Sequence, residues 1–341
     1  MKISNCNNYG TITGSSAAVG GVIGYTQQTN IIVEKCTNAG TVSSTTGISI
    51  GGVVGDIFNS QNFEATIREC TNSGNVNCKY LGGGIAGGIW GENQITLTAE
   101  NNKNTATIHS EQGKNDNWAA LGGIIGQIGT DANIIAKIYN CYNNGVVTGE
   151  ILEIGGILGS TWSETAQNIT IINCLNDARI AETGKSCVGG IVGHLATGTG
   201  QITAKISNSS NTGNVGNETV EYESVGGILG EGYTETQSSL IIENLSNTGI
   251  AYGSGDWGVG GIIGQNSSTI TQSVTNVFYI QNSIYTWNAG TSKTEDEMKQ
   301  QGDGSVLQTL NQKSIEHSND DIPYLNWKQN TNGYPIINIS L

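Results

Sequence analysis

Seven cysteines and three histidines are the side chains best able to do chemistry in this 341-residue chain. A thiolate is a nucleophile and a soft metal ligand, an imidazole is a base and a borderline ligand, and each needs partners close by. The linear patterns that would supply partners are missing. No Cys-x-x-Cys links Cys6, Cys36, Cys70, Cys78, Cys141, Cys174 and Cys187, so the spacing leads us to expect no metal. The odd cysteine count argues against a disulfide framework. His109, His194 and His317 form no His-Glu-x-x-His, which removes that metallopeptidase pattern from the chain. No Gly-x-Ser-x-Gly elbow is present either. Carboxylates remain. Glu221 and Glu223 share strand parity, with Glu231 and Glu243 nearby. Paired acids on a β-helix can cleave glycosidic bonds, but only when burial or close pairing shifts a pKa. The local sequence supplies neither.

Whatever these side chains do, a repeat must position them. Residues 188–193 read Val-Gly-Gly-Ile-Val-Gly, and seven relatives occur at 19–24, 50–55, 82–87, 121–126, 154–159, 225–230 and 259–264. The second glycines fall at 21, 52, 84, 123, 156, 190, 227 and 261. Self-similarity at such a period signals a stack of supersecondary units. A second frame accompanies it: Cys36-Thr37-Asn38-Ala39-Gly40-Thr41-Val42 and its equivalents starting at Cys6, Cys70, Asn102, Cys141, Cys174, Ser209 and Leu245. Its third residue is always asparagine: Asn8, Asn38, Asn72, Asn104, Asn143, Asn176, Asn211 and Asn247.

Parity decides which way these residues point. Alternate residues of an extended chain share a face, so the apolar seventh position places Cys and Asn inside. The apolar residue three before Cys has opposite parity, so a corner or bulge is expected between them. Asn and Gly suit tight corners, and asparagines over asparagines would form an amide ladder. The expected fold is all-β: a parallel β-helix, or β-solenoid, of about eight coils with about three short strands each. One strand holds Gly-Gly-Ile-Val-Gly, one leads into Cys, and one follows the Asn corner. At about 4.8 Å per coil the rod would be roughly 40 Å long. The cysteine column reads as small buried thiols.

Residues 1–279 form the solenoid in this reading, and 280–341 a small mixed C-terminal capping segment over the terminal edge. Thr294-Glu295-Asp296-Glu297 looks like a capping box, and residues 305–312 a second helix. Length variation between repeats is concentrated after the third strand, where insertions reach the binding face of a solenoid. The longest excursion carries His109, Glu111, Lys114, Asp116 and Trp118, the best candidate contact loop. Trp90, Trp162 and Trp257 either stack on a ligand or fold back on the rod.

Composition excludes several classes. With 50 Gly but only 2 Pro and no three-residue period, the chain is no collagen. A net charge of −14 opposes nucleic-acid binding. No apolar run reaches membrane-spanning length, so no membrane insertion is expected. Met1-Lys2 runs straight into the first frame without a secretory h-region. Because the first coil opens halfway through, the chain is expected to be part of a longer one.

The two motifs together resemble the GLUG-motif repeats of bacterial surface proteins. Asn140-Cys141-Tyr142-Asn143-Asn144-Gly145-Val146-Val147 followed by residues 154–159 is the nearest copy, and the resemblance covers roughly residues 1–280. Repeats here are longer, and Ile or Val stands where Leu is usual. The resemblance implies an extracellular or cell-surface, adhesin-like module with no catalytic residues in its repeats. The expected function is a non-enzymatic scaffold or spacer presenting loops to a host protein or glycan, without cofactor. The alternatives are a polysaccharide-degrading β-helix enzyme and the non-catalytic part of a larger surface peptidase.

Overall fold

Each segment of one coil pairs in parallel with the same segment of the next, and the repeat period sets that register. The computed structural model describes residues 1–110, 119–182 (the side chains of 181 and 182 excepted), 187–218, 224–253, 258–282, 284–287 and 289–340. Among these the chain winds into a parallel β-solenoid of about eight turns with a small C-terminal segment. One coil is represented by Ser49–Gly51, Val54–Asn59, Phe63–Arg68, Thr71–Asn72 and Val76–Cys78. Stacked, these make four faces. The Ser49–Gly51 strands form face 1, the Val54–Asn59 strands face 2, the next two strands together face 3, and the Val76–Cys78 strands face 4.

A coil therefore has five strands instead of three. The Gly-Gly motif is not one strand. Its first glycine ends face 1, the second lies in a bend, and face 2 starts two residues later. The motif straddles a waist between two separate cores. Ile50, Val76 and Leu121 belong to a smaller core, while Val53, Val54, Ile67 and Cys70 belong to a larger one. This is why both parities of the motif are apolar. At the waist the asparagine column presses on the second glycine. A Cβ on Gly52 would lie 2.5 Å from Asn72 Oδ1 and 2.2 Å from the Gly84 carbonyl oxygen.

The eight asparagines form one column. Each Nδ2 donates to the Oδ1 of the next coil at 2.7–2.8 Å, from Asn8 to Asn38 and so on to Asn247. Asn38 to Asn247 are fully buried, so these mutual bonds replace water. All but Asn247 sit at the end of a two-residue strand, and for all but Asn72 the Nδ2 also donates to the carbonyl two residues on, as Asn38 does to Gly40 at 2.8 Å. The glycine of this frame is not left-handed. It is needed for proximity, since a Cβ on Gly40 would lie 1.9 Å from the Gly10 carbonyl oxygen.

The corner before Cys is left-handed. Asn5, Lys35, Glu69, Asn101, Asn140, Asn173, Asn208, Asn244 and Asn276 have φ between 43° and 57°, a region where asparagine is the best tolerated ordinary residue. From Asn140 onward every corner residue is Asn. These make a second ladder, with Nδ2 to Oδ1 distances of 2.9, 2.6, 2.6 and 2.5 Å.

That second ladder explains the C-terminal segment. One strand, Thr291–Lys293, extends the terminal edge by pairing with Ile270–Ile280. Residues 284–287 cover the same end, with Tyr285 packed on both cores and the Thr286 and Trp287 amides donating to the Val259 carbonyl. Helix α1 (Glu295–Lys299, with its capping box), helix α2 (Val306–Glu316) and the hairpin Trp327–Gln329/Pro335–Ile337 run back along the side of the coils. Backbone carbonyls of α2 and of the stretch between α2 and the hairpin take the spare amide protons of the ladder: Asn173 to Pro323, Asn208 to Leu325, Asn244 to Leu310 and Asn276 to Thr309, at 2.9–3.3 Å. Met298, Leu310, Trp327 and Ile337 pack with Leu175 beneath them.

Candidate functional site

On the outside of the waist, faces 1 and 2 fold toward one another and leave a crease along the rod. Two residues per coil line it, the one immediately before each six-residue glycine motif and the one immediately after. The third glycine allows the approach, since it rests on the backbone of the preceding coil's face 1. A Cβ on Gly193 would lie 2.7 Å from the Ile154 carbonyl oxygen. Side chains therefore meet across the crease with an offset of one coil.

In the middle of the rod this offset assembles a polar quartet. Glu153 and Cys187 are register partners on face 1, and His194 and Glu231 are register partners on face 2. Across the crease, His194 Nδ1 lies 2.7 Å from Glu153 Oε1, and the Cys187 thiol donates to Glu231 Oε2 at 2.9 Å. Cys187 is 5% exposed, and the side chains of His194 and Glu153 are 15% and 20% exposed. The ligand-bearing atoms of Cys187, His194 and Glu231 all lie within 4.8 Å of one another. A carboxylate can only accept, so Glu153 places a proton on His194 Nδ1 and, in the neutral ring, leaves a lone pair on Nε2.

Further along the same crease stands Asp56, opposite Tyr25 on the neighbouring coil. Its Oδ1 is buried without a hydrogen-bond partner, and burial pushes its carboxyl up to about 7. Ala17, Tyr25, Ile48, Ser49, Phe58 and Trp90 surround it in a shallow cleft.

The sequence candidates end up in different places. His109 lies half-buried on face 4 beside Asn77 and Thr148. Glu111, Lys114, Asp116 and Trp118 lie outside the described residues, as do Glu221, Glu223 and Trp257. Glu231 is in the crease, whereas Glu243 is on face 3 beneath the C-terminal segment. Burial would raise Glu243, but the Tyr324 hydroxyl at 2.7 Å, with Lys313 and Lys205, holds it below the usual range. Within the quartet, Cys187, His194 and Glu231 are the only cluster of three such ligand groups among the described residues, and it is mixed instead of three carboxylates. Trp90 covers Gly129 of the next coil, where a Cβ would lie 2.4 Å from its ring.

The seven cysteines form no disulfide. Cys36, Cys70, Cys141 and Cys174 stack inside as fully buried thiols, and burial pushes Cys70 up to about 12. Cys187 is in neither the column nor its frame. Linear spacing conceals the quartet because its members are 34, 41 and 37 residues from their coil partners or cross-crease contacts. The available signal was positional: each member flanks a glycine motif.

No helix among the described residues is long and apolar enough to cross a membrane. Comparison with protein-family models, with curated proteins and with solved structures returned no match.

Proposed function

We propose that the chain is a non-enzymatic extracellular or cell-surface module, an adhesin-like scaffold or spacer that presents loops to a host protein or glycan. One observation carries this reading. The connections that vary most in length, from two to nine residues, join face 4 to face 1, along one edge of the coils. The two longest, residues 111–119 and 217–223, each run from a strand of face 4 to a strand of face 1. The paired strands of the four faces stack in parallel from coil to coil, with interior columns of Ile, Val, Cys and Asn that serve stacking. A rigid rod with one variable edge suits display. The resemblance to GLUG-motif surface repeats supports the same reading.

The test is binding of the purified chain to immobilised matrix proteins and a glycan array. A parallel chain has residues 111–118 replaced by Gly-Ser of equal length. Saturable binding by the natural chain and at least tenfold weaker binding by the replaced one is the expected result. No binding to any surface ends the adhesin reading. Turnover of a polysaccharide by the folded chain would replace it with the enzymatic alternative.

A further inference from the structure

We propose that Cys187, His194 and Glu231 form a binding site for one zinc-like divalent cation, with Glu153 orienting the imidazole. The donor set selects the ion: a thiolate, an imidazole and one carboxylate are the ligands of Zn²⁺, whereas Ca²⁺ and Mg²⁺ require oxygen throughout. Separation fits as well. Bonds of about 2.0–2.3 Å in a tetrahedral arrangement place ligand atoms about 3.3–3.8 Å apart, and the three present lie within 4.8 Å. Glu153 supplies the outer partner that a metal-bound histidine regularly has, a carboxylate on the other ring nitrogen at 2.7 Å.

Charge argues for a cation over a nucleophile. Glu231 Oε2, 2.9 Å from Cys187 Sγ, would repel a thiolate and so works against thiol attack on a substrate. A divalent ion reverses this. Its charge balances one thiolate and one carboxylate, and the thiol proton leaves to solvent on binding. Three protein ligands leave a fourth position for water or for a group on a partner. Cys187 opens a strand of face 1, Cys187–Gly189.

The experiment uses the full chain stripped with a chelator and titrated with Co²⁺ as a spectroscopic probe, then with Zn²⁺. One Co²⁺ per chain is expected, with a near-ultraviolet thiolate-to-cobalt charge-transfer band that Zn²⁺ abolishes. Cys187→Ser should lose that band while Cys78→Ser keeps it. Glu153→Gln should keep the stoichiometry and weaken affinity about 10–100-fold, the usual effect of losing an outer partner. Absence of stoichiometric binding, or an unchanged band in Cys187→Ser, overturns the assignment. If Cys187→Ser does not fold, X-ray absorption of the zinc-loaded natural chain decides. One sulfur among nitrogen and oxygen scatterers is expected, and none or several overturns it.

Discussion

Replacing Asn143 by Ala tests the physical basis of the rod most directly. Asn143 is fully buried in mid-column. Its Oδ1 accepts from Asn104 Nδ2 at 2.8 Å and from the Gly145 amide at 3.2 Å. Its Nδ2 donates to Asn176 Oδ1 at 2.8 Å and to the Gly145 carbonyl at 3.0 Å. Alanine deletes all four and leaves Asn104 and Asn176 each short of a partner where water cannot enter. At about 1 kcal/mol per bond, and more for a stranded buried group, the loss should be about 3–5 kcal/mol. Asn8 is the control. It makes the same local bonds to Gly10 and one rung to Asn38, but it is partly exposed at the end of the column. Water can replace what Asn8→Ala removes, so that change should cost about 1 kcal/mol or less. Asn143→Asp adds a sign test. The carboxylate would face the Gly145 carbonyl and Asn176 Oδ1 without a proton to offer. It should destabilise more than alanine at neutral pH and recover as acid protonates it. Paired urea-unfolding curves by circular dichroism measure all three. Equal costs for Asn143→Ala and Asn8→Ala, or a cost below about 1 kcal/mol at Asn143, would refute the claim that the ladder holds the coils together.

Asp56 predicts a pH effect. Burial raises its carboxyl from 3.8 to about 7, so the fold favours the neutral form. The associated stability is fully present below 3.8, falls as pH rises toward about 7 and is level above that. Asp56→Asn should therefore be the more stable protein at pH 8, by about 4 kcal/mol at most at roughly 1.4 kcal/mol per pKa unit. The advantage should vanish in acid, and a pH-independent difference between the two unfolding curves would sink the idea. Among the third glycines, Gly126→Ala puts a Cβ 2.4 Å from the Gly87 carbonyl oxygen, while Gly24→Ala meets nothing nearer than 3.4 Å. The first should abolish soluble folding and the second should shift the unfolding midpoint little, so equal yields of the two would contradict the stacking geometry. Trp327→Ala removes a buried ring and its Nε1 bond to Asn208 Oδ1 at 2.8 Å, at a cost of about 3–5 kcal/mol. Limited proteolysis should then release α1, α2 and the hairpin from intact coils. A single unchanged cooperative transition would show instead that flank and coils are one unit.

Period and parity made the rod legible in the sequence. Glycine motifs at intervals of 31 to 39 residues define the coils. The alternation Cys36, Asn38, then Val42 after the corner fixes which side chains face inward, and stacking along the axis follows because each coil pairs only with its neighbours. The Thr294 capping box and the helix beginning after Ser305 were equally readable, because capping is local chemistry. What happens across the axis was not readable. Whether residues 188–193 form one strand or a bend depends on how closely Asn211 approaches Gly190, where a Cβ would lie 2.5 Å from the amide carbon. That contact exists only once two faces have packed.

The sequence by itself determined which residues lie above one another, because parallel pairing between equal coils is a one-dimensional rule. Only the tertiary structure decided which residues meet sideways. The bend at Gly-Gly folds faces 1 and 2 together with a one-coil offset, and this alone brings Glu153 to His194 and Cys187 to Glu231. The same is true of the flank. A second asparagine column from Asn140 to Asn276 offers spare amide protons along one corner, and the C-terminal segment lies down on that corner because its backbone carbonyls can take them.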